Sequence, residues 1–176
     1  MFKEQLVTEK NIDLVIDMWH KIFPEEQLWC GYECAKNCFE KSLDPDDFLK
    51  YYIHFDSTPD KPMGFPVGIS GIYTENAEPE SAWLGWFGVL PEYRRQRYGT
   101  RIMNFFLRQC RDFGFKYARL YTGAENIIGQ KFYEFNGFTG EPIHIDYTDE
   151  PEDLIIYSKT LCNEPVPLWN NRHLDL

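Results

Sequence analysis

Val89-Leu90-Pro91-Glu92-Tyr93-Arg94-Arg95-Gln96-Arg97-Tyr98-Gly99-Thr100-Arg101-Ile102-Met103 is the stretch from which the rest of the chain can be understood. Before it, Trp83-Leu84-Gly85-Trp86-Phe87-Gly88-Val89 is an apolar, aromatic-rich run of strand length. After it, Ile102, Met103, Phe106, Cys110 and Phe113 recur at helical spacing, and the pattern stops at Gly114. The segment reads as a buried strand, a turn carrying arginines, and an amphipathic helix. Such a turn aims backbone N–H groups and the positive end of a helix dipole at one point, an arrangement suited to a phosphate.

The strand over residues 82–90 is apolar on both faces, as expected at the centre of a sheet covered by helices. Gly85 and Gly88 within it mark places that tolerate a bulge or a close ligand approach. Upstream, residues 2–7 read as a weakly alternating strand. Thr8 is the expected N-cap of a helix carrying Ile12, Val15, Ile16, Trp19 and Phe23. Residues 29–41 predict a second helix with Cys30, Cys34 and Cys38 on one face. No histidine or CxxC pair joins those cysteines, so they read as small buried side chains and no metal is assigned. Asp44-Pro45-Asp46-Asp47 resembles a cap opening a short helix. Residues 51–55 and 65–73 predict the strands of a hairpin, with a loop over 56–62.

Downstream, residues 116–121 alternate as a strand, and 126–135 form a helix ended by Asn136-Gly137, with Gly137 in a left-handed cap. Residues 138–147 and 154–160 follow as strands. The expected fold is α/β, with a mixed, mostly antiparallel central sheet flanked by helices, in a single domain over residues 1–160. Residues 161–176 are left as a C-terminal tail without an assigned role.

The composition, 43% hydrophobic and 17% aromatic, is that of a globular protein. The N-terminus lacks the pattern of a signal peptide, and the apolar run ending at Leu90 is too short to span a bilayer. Five cysteines without a secretion signal point to the reducing cytoplasm. A net charge of −10 argues against general nucleic-acid binding. Yet seven of the eight arginines (Arg94, Arg95, Arg97, Arg101, Arg108, Arg111, Arg119) lie in one short segment, which favours a small polyanion.

A second motif, Asn126-Ile127-Ile128-Gly129-Gln130-Lys131-Phe132-Tyr133-Glu134-Phe135-Asn136-Gly137-Phe138, places a tyrosine on a core-facing helix seven residues after an asparagine. Taken alone, such a tyrosine is most often structural. Together the two motifs resemble the GNAT superfamily of acetyl-CoA-dependent N-acetyltransferases. The family pattern Val-x-Pro-x-x-Arg-x-x-Gly-x-Gly meets Val89, Pro91, Arg94 and Gly99 here, with Arg97 where the first glycine is usual. The pattern Asn-x-x-Ala-x-x-Leu-Tyr-x-x-x-Gly-Phe meets Asn126, Tyr133, Gly137 and Phe138, with Gly129 and Phe132 as conservative changes.

The resemblance implies that acetyl-CoA is the co-substrate and an amine, small molecule or peptide, the acceptor, with direct attack in a ternary complex. It implies that backbone N–H groups of Arg95, Gln96, Arg97, Tyr98, Gly99 and Thr100 hold the pyrophosphate, supplemented by Arg94 and neighbouring basic side chains. The strand edge at Phe87, Gly88 and Val89 would pair with the pantetheine amides and polarise the thioester carbonyl. Asn126 would contact the pantetheine arm, Gly129 would let that arm approach, and Tyr133 would protonate the departing thiolate. Some relatives carry a general base on the central strand where this chain has Trp83, so Glu75, Glu80, His54 and Asp146 remain candidates by position only. Arg97 is expected in a helical or bridge conformation, where arginine fits. A non-catalytic acyl-CoA-binding or sensory domain is the alternative. A homodimer is compatible with the tail around Trp169 as an added contact surface.

Overall fold

The computed structural model describes residues 1–23, 31–76, 78–145 and 152–169. The chain forms two compact units, Met1–Thr74 with Leu84–Phe106, and Glu75–Trp83 with Leu107–Leu176. In the first lie β1 (Lys3–Leu6), α1 (Ile12–Ile22), α2 (Tyr32–Lys41), β2 (Leu49–Thr58) and β3 (Lys61–Tyr73). In the second lie β5 (Tyr117–Gly123), α4 (Ile127–Phe135), β6 (Thr139–Ile145) and β7 (Glu152–Thr160). Strand β4 (Ser81–Val89) and helix α3 (Tyr98–Asp112) contribute residues to both. Strand order is β1-β2-β3-β4 in the first unit and β4-β5-β7-β6 in the second. Strands β1 and β2, β2 and β3, β5 and β7, and β6 and β7 pair antiparallel, while β4 and β5 pair in parallel. The expected α/β class with a mixed, mostly antiparallel sheet is the one observed.

The first unit is built around α1. Its buried stripe is Val15, Met18, Trp19 and Ile22, one step round from the expected one, so Ile12, Ile16 and Phe23 sit at the rim. Trp19 packs edge-on against Trp86 of β4 at 5.4 Å between ring centroids. The cap is Asn11, not Thr8. Asn11 Oδ1 accepts the Thr8 N–H at 2.7 Å, so the helix opens three residues later than the sequence suggests. On α2 the buried residues are Ala35 and Phe39. Cys34 and Cys38 are only half-buried, Cys34 is disulfide-bonded, and Cys30 lies outside the described residues, so the apolar cysteine face is not found.

Two loop expectations also change. Residues 44–47 form a turn in which Asp44 Oδ1 accepts the Asp46 N–H at 2.9 Å; the same side-chain chemistry serves an Asx turn as well as a helix cap. The hairpin loop shrinks to Pro59-Asp60, because Thr58 pairs with Lys61 and a bulge near Asp56 absorbs the remainder. Glycine permits close packing at β3 and β4. A Cβ on Gly68 would meet the Gly88 carbonyl oxygen at 2.5 Å, and one on Gly85 the Tyr51 hydroxyl at 2.7 Å.

In the second unit Trp169, the last described residue of the expected tail, is part of the core. Trp169 is fully buried, packs edge-on against Trp83 at 5.1 Å, and donates its N–H to Glu141 at 2.6 Å. Beneath it lies Arg119 of β5, also fully buried. Its Nη2 reaches Glu78 Oε1 at 2.8 Å and the Pro167 carbonyl at 2.6 Å, its Nε reaches Glu78 Oε2, and its Nη1 reaches Ser158 Oγ. Arg119 therefore leaves the group of arginines free to hold a polyanion. The signal was present: a charged residue within the alternating Tyr-Ala-Arg-Leu-Tyr strand has to be buried with a partner. Phe113 is likewise exposed, because α3 ends at Asp112 and Gly114 turns away at φ +83°.

Candidate active site

The first motif occupies the passage from β4 to α3. Leu90 N–H is held by Val67 carbonyl at 2.9 Å, and Pro91–Tyr93 form one tight helical turn. Arg94 is extended, after which Arg95 and Arg97 both take left-handed backbone, φ +60° and +65°. The expected helical or bridge conformation of Arg97 is thus overturned. A side chain there costs about 1–2 kcal/mol relative to a residue in the right-handed region, and the cost falls on Arg95 as well. The first bond of α3 outside the helix proper joins Arg101 N–H to Arg97 carbonyl at 3.1 Å. Tyr98, Gly99 and Thr100 therefore supply the opening N–H groups that every helix presents without an intrahelical acceptor. Backbone turning between left- and right-handed states just before such a start forms a concave set of N–H donors.

The side chains of the motif divide by task. Arg94 donates from Nε to Val89 carbonyl at 3.1 Å and from Nη2 to Ile22 carbonyl at 3.0 Å, so its guanidinium joins the turn to the end of α1. Gln96 Nε2 folds back onto Glu92 carbonyl at 3.1 Å. Tyr98 hydroxyl and Arg101 Nη1 both donate to Asp56 Oδ2, each at 3.0 Å, and the Arg101 guanidinium lies 4.1 Å above the Phe2 ring. Burial works to raise the Asp56 carboxyl, but hydrogen bonds from the N-terminal ammonium, Ser57 N–H, Tyr98 and Arg101 outweigh it and hold the group at about 2. Arg95 and Arg97 stay exposed.

Phe87, Gly88 and Val89 are half-buried on β4, beyond the three pairs (Ser81, Ala82, Trp83) through which that strand meets β5. The glycine at 88 has a packing reason: a Cβ would meet Ile22 Cγ2 at 2.2 Å. Gly129 similarly leaves room for the Asn126 carboxamide, 2.5 Å from where its Cβ would stand.

The second motif lies in the second unit. Asn126 caps α4, its Oδ1 accepting Gly129 N–H at 3.0 Å and its Nδ2 donating to Thr122 Oγ1 at 2.9 Å. Gly137 closes the helix at φ +80°, as expected. Tyr133 is the buried residue of α4, 9% exposed, with its ring 5.4 Å from Tyr157. Burial pushes its hydroxyl pKa well up, and Tyr157 adds to the shift. The phenol is fully protonated at neutral pH, the state a proton donor requires.

The four candidate bases fare unequally. His54 on β2 is fully buried, its Nε2 2.8 Å from Ser70 Oγ, with Phe2 stacked on the ring and Phe105 edge-on. No solvent-borne amine reaches it. Burial lowers its pKa to about 3. The unfolded chain binds this proton below about 6.5 while the folded chain does not, so stability present at neutral pH is lost as pH falls from there towards the folded value. His54→Gln is expected to flatten the acid limb of stability across that window, measured as urea midpoints at stepped pH. Glu80 is more than half exposed and paired with Lys116 at 2.6 Å. Glu75 is buried, and Asp146 lies outside the described residues.

No helix among the described residues is long and apolar enough to cross a membrane. No cluster of three or more His, Cys, Asp or Glu among them is placed to hold a metal ion.

Comparison with known proteins agrees with this architecture. The solved structure of the ribosomal-protein-S18-alanine N-acetyltransferase from Escherichia coli superposes with a TM-score of 0.69 at 17% identity, covering 96% of this chain and 99% of that one. A putative acetyltransferase of the GNAT family from Desulfovibrio desulfuricans gives 0.72 at 18% identity, covering 92% and 99%. The PaiA N-acetyltransferase from Thermoplasma acidophilum, solved in complex with coenzyme A, gives 0.66 at 19% identity, covering 91% and 99%. At these identities the likeness is one of fold. No curated protein matches the sequence. The description of the acetyltransferase (GNAT) family matches residues 12–138, a span holding the arginine turn and the Asn126–Phe138 segment. The chain belongs to the acetyltransferase (GNAT) family, a family of acetyl-CoA-dependent acyltransferases.

Proposed function

We propose that the protein transfers the acetyl group of acetyl-CoA to an amine by direct attack in a ternary complex. The observation that carries this reading is the turn from Arg94 to Thr100, whose two left-handed residues precede a helix start with its N–H groups unclaimed by the helix. A donor set of backbone N–H groups flanked by guanidinium groups fits a pyrophosphate. In this reading the N–H groups from Arg95 to Thr100 hold that pyrophosphate, and the β4 edge at Phe87–Val89 pairs with the pantetheine amides. A backbone N–H of that edge stabilises the oxyanion formed when the neutral amine nitrogen attacks the thioester carbon. As the carbon–sulfur bond breaks, the thiolate takes the Tyr133 proton, and the proton surplus on nitrogen leaves to water or a base. Asn126 fixes the start of α4 on which Tyr133 is carried and contacts the pantetheine arm.

A covalent cysteine route lacks support from Cys110 and Cys38. Burial pushes Cys110 up to about 12 and raises Cys38, which keeps both as poorly nucleophilic thiols. The test is thiol release from acetyl-CoA over a panel of polyamines, amino acids and peptides with free N-termini. Saturable, amine-dependent release is expected. Tight CoA binding with no release on any amine would overturn the enzymatic reading in favour of a binding or sensory domain.

A further inference from the structure

We propose that Tyr157 is a positioning residue for the proton donor: its ring braces the Tyr133 phenol while Glu134 holds the Tyr157 hydroxyl. The inference rests on the reading above, in which Tyr133 gives its proton to the departing thiolate. Tyr157 belongs to β7, the strand between β5 and β6, where it stands opposite Leu120 on one side and Gly140 on the other. Gly140 leaves room for the ring, since a Cβ there would meet Tyr157 Cε1 and Cζ at 3.1 Å. The Tyr157 ring centre lies 5.4 Å from that of Tyr133, with the two planes 47° apart. Its hydroxyl donates to Glu134 Oε1 at 3.2 Å. One phenol on β7 therefore engages two consecutive residues of α4, Tyr133 through its ring and Glu134 through its oxygen.

Helix α4 needs such a tie. Tyr133 is its buried residue, whereas Ile127, Ile128 and Phe135 are exposed. A helix held by so narrow an apolar contact can roll about its axis, and the Tyr133 hydroxyl stands at the far end of a long side chain. Asn126 ties one end of α4 to β5 through Thr122 Oγ1 at 2.9 Å. At the other end, two residues beyond Tyr157 and on the same face of β7, Lys159 donates to the Asn136 carbonyl at 2.6 Å. Tyr157 is a tie that also meets the ring of the proposed acid. It contributes to the upward pKa shift of Tyr133 as well, so the two phenols interact electrostatically in addition to packing. Proton transfer requires the donor within hydrogen-bond reach of the acceptor, and a small misplacement of a catalytic group is costly in rate.

The test is a kinetic double-mutant cycle. Tyr157→Phe keeps the ring but frees it from Glu134, and Tyr157→Leu removes the brace. In the first, kcat is expected to fall about threefold, the scale of one hydrogen bond. In the second it is expected to fall about tenfold or more. KM for acetyl-CoA should hold in both, and thermal melts check that the variants are folded. Glu134→Gln keeps an acceptor oxygen and should retain the wild-type kcat, whereas Glu134→Ala should match Tyr157→Phe. On the Tyr133→Phe background neither Tyr157 change should lower kcat further, because no hydroxyl remains to be positioned. A folded Tyr157→Leu with wild-type kcat, or one that loses the same factor on both backgrounds, overturns the proposal. Where Tyr157→Leu does not fold, Tyr157→Phe on the two backgrounds decides by the same criterion. A Tyr133→Phe variant with undiminished kcat refutes the acid role of Tyr133 itself, and this inference with it.

Discussion

Tyr133→Phe is expected to lower kcat by about 10²- to 10⁴-fold, the range spanned by loss of a general acid, while leaving CoA affinity nearly unchanged. Phenylalanine keeps the ring against Tyr157 and Phe138 and removes only the hydroxyl. A purely structural tyrosine would give the opposite pattern, a shift in stability with kcat intact. The pH profile sharpens the test. Because burial raises the Tyr133 pKa, its acid form persists above pH ~10, the ordinary phenol value, and kcat should show no fall from tyrosine ionisation below that point. The same shift makes Tyr133 a stabilising group at neutral pH. The unfolded phenol ionises first, so this contribution declines as pH rises from the unfolded pKa through the folded one. In the phenylalanine variant the corresponding alkaline loss should be absent. Thiol-release kinetics, CoA titration and alkaline melts on one preparation separate the two roles.

The second large effect concerns Arg119 and Glu78. Arg119→Met alone, or Glu78→Leu alone, is expected to destabilise the second unit by about 3–5 kcal/mol, because either leaves a buried charge without its partner. Arg119 is fully buried and Glu78 8% exposed, so water does little to screen the orphan. Combining the two changes should restore most of the loss, since an apolar pair of similar volume removes both desolvation penalties together. The measurement is a double-mutant cycle in thermal or urea unfolding, with coupling of several kcal/mol the expected result. Additive losses would mean the pair is not energetically linked. Arg119 further binds the Pro167 carbonyl and lies 5.6 Å from the Trp169 ring, so single variants should also loosen residues 161–169, visible as faster amide exchange there.

What could be read in the sequence follows the range of the forces involved. The strand–turn–helix at Val89–Met103 was legible because its signals are local: apolar periodicity, a proline, and a glycine stop. The left-handed caps at Gly114 and Gly137 were legible for the same reason. Arg97 was not, because residue identity sets only a preference in φ; the path from Pro91 to α3 fixed the backbone, and arginine conforms to it. Arg119 and Trp169 were misjudged or unplaced because their partners are remote. Glu78 and Pro167 stand 41 and 48 residues from Arg119 in the chain, beyond any periodic signal. Asn126 and Gly129, read from the motif as ligand neighbours, also cap α4 together. The motif letters located the helix and its caps while saying little about which atoms were already taken.

The Arg94 guanidinium grips two carbonyls at once, Ile22 at the end of α1 and Val89 at the end of β4. That shared grip makes the helix end and the turn a geared pair. A displacement of Ile22 is expected to pull on Arg94 and so on the turn that follows it, and by thermodynamic reciprocity a ligand that tightens that turn is expected to steady the end of α1. Arg94, expected to add charge to the ligand, also ties two neighbouring parts of the first unit together. Changes around Ile22, far from any phosphate in the sequence, would therefore register first as changes in co-substrate affinity.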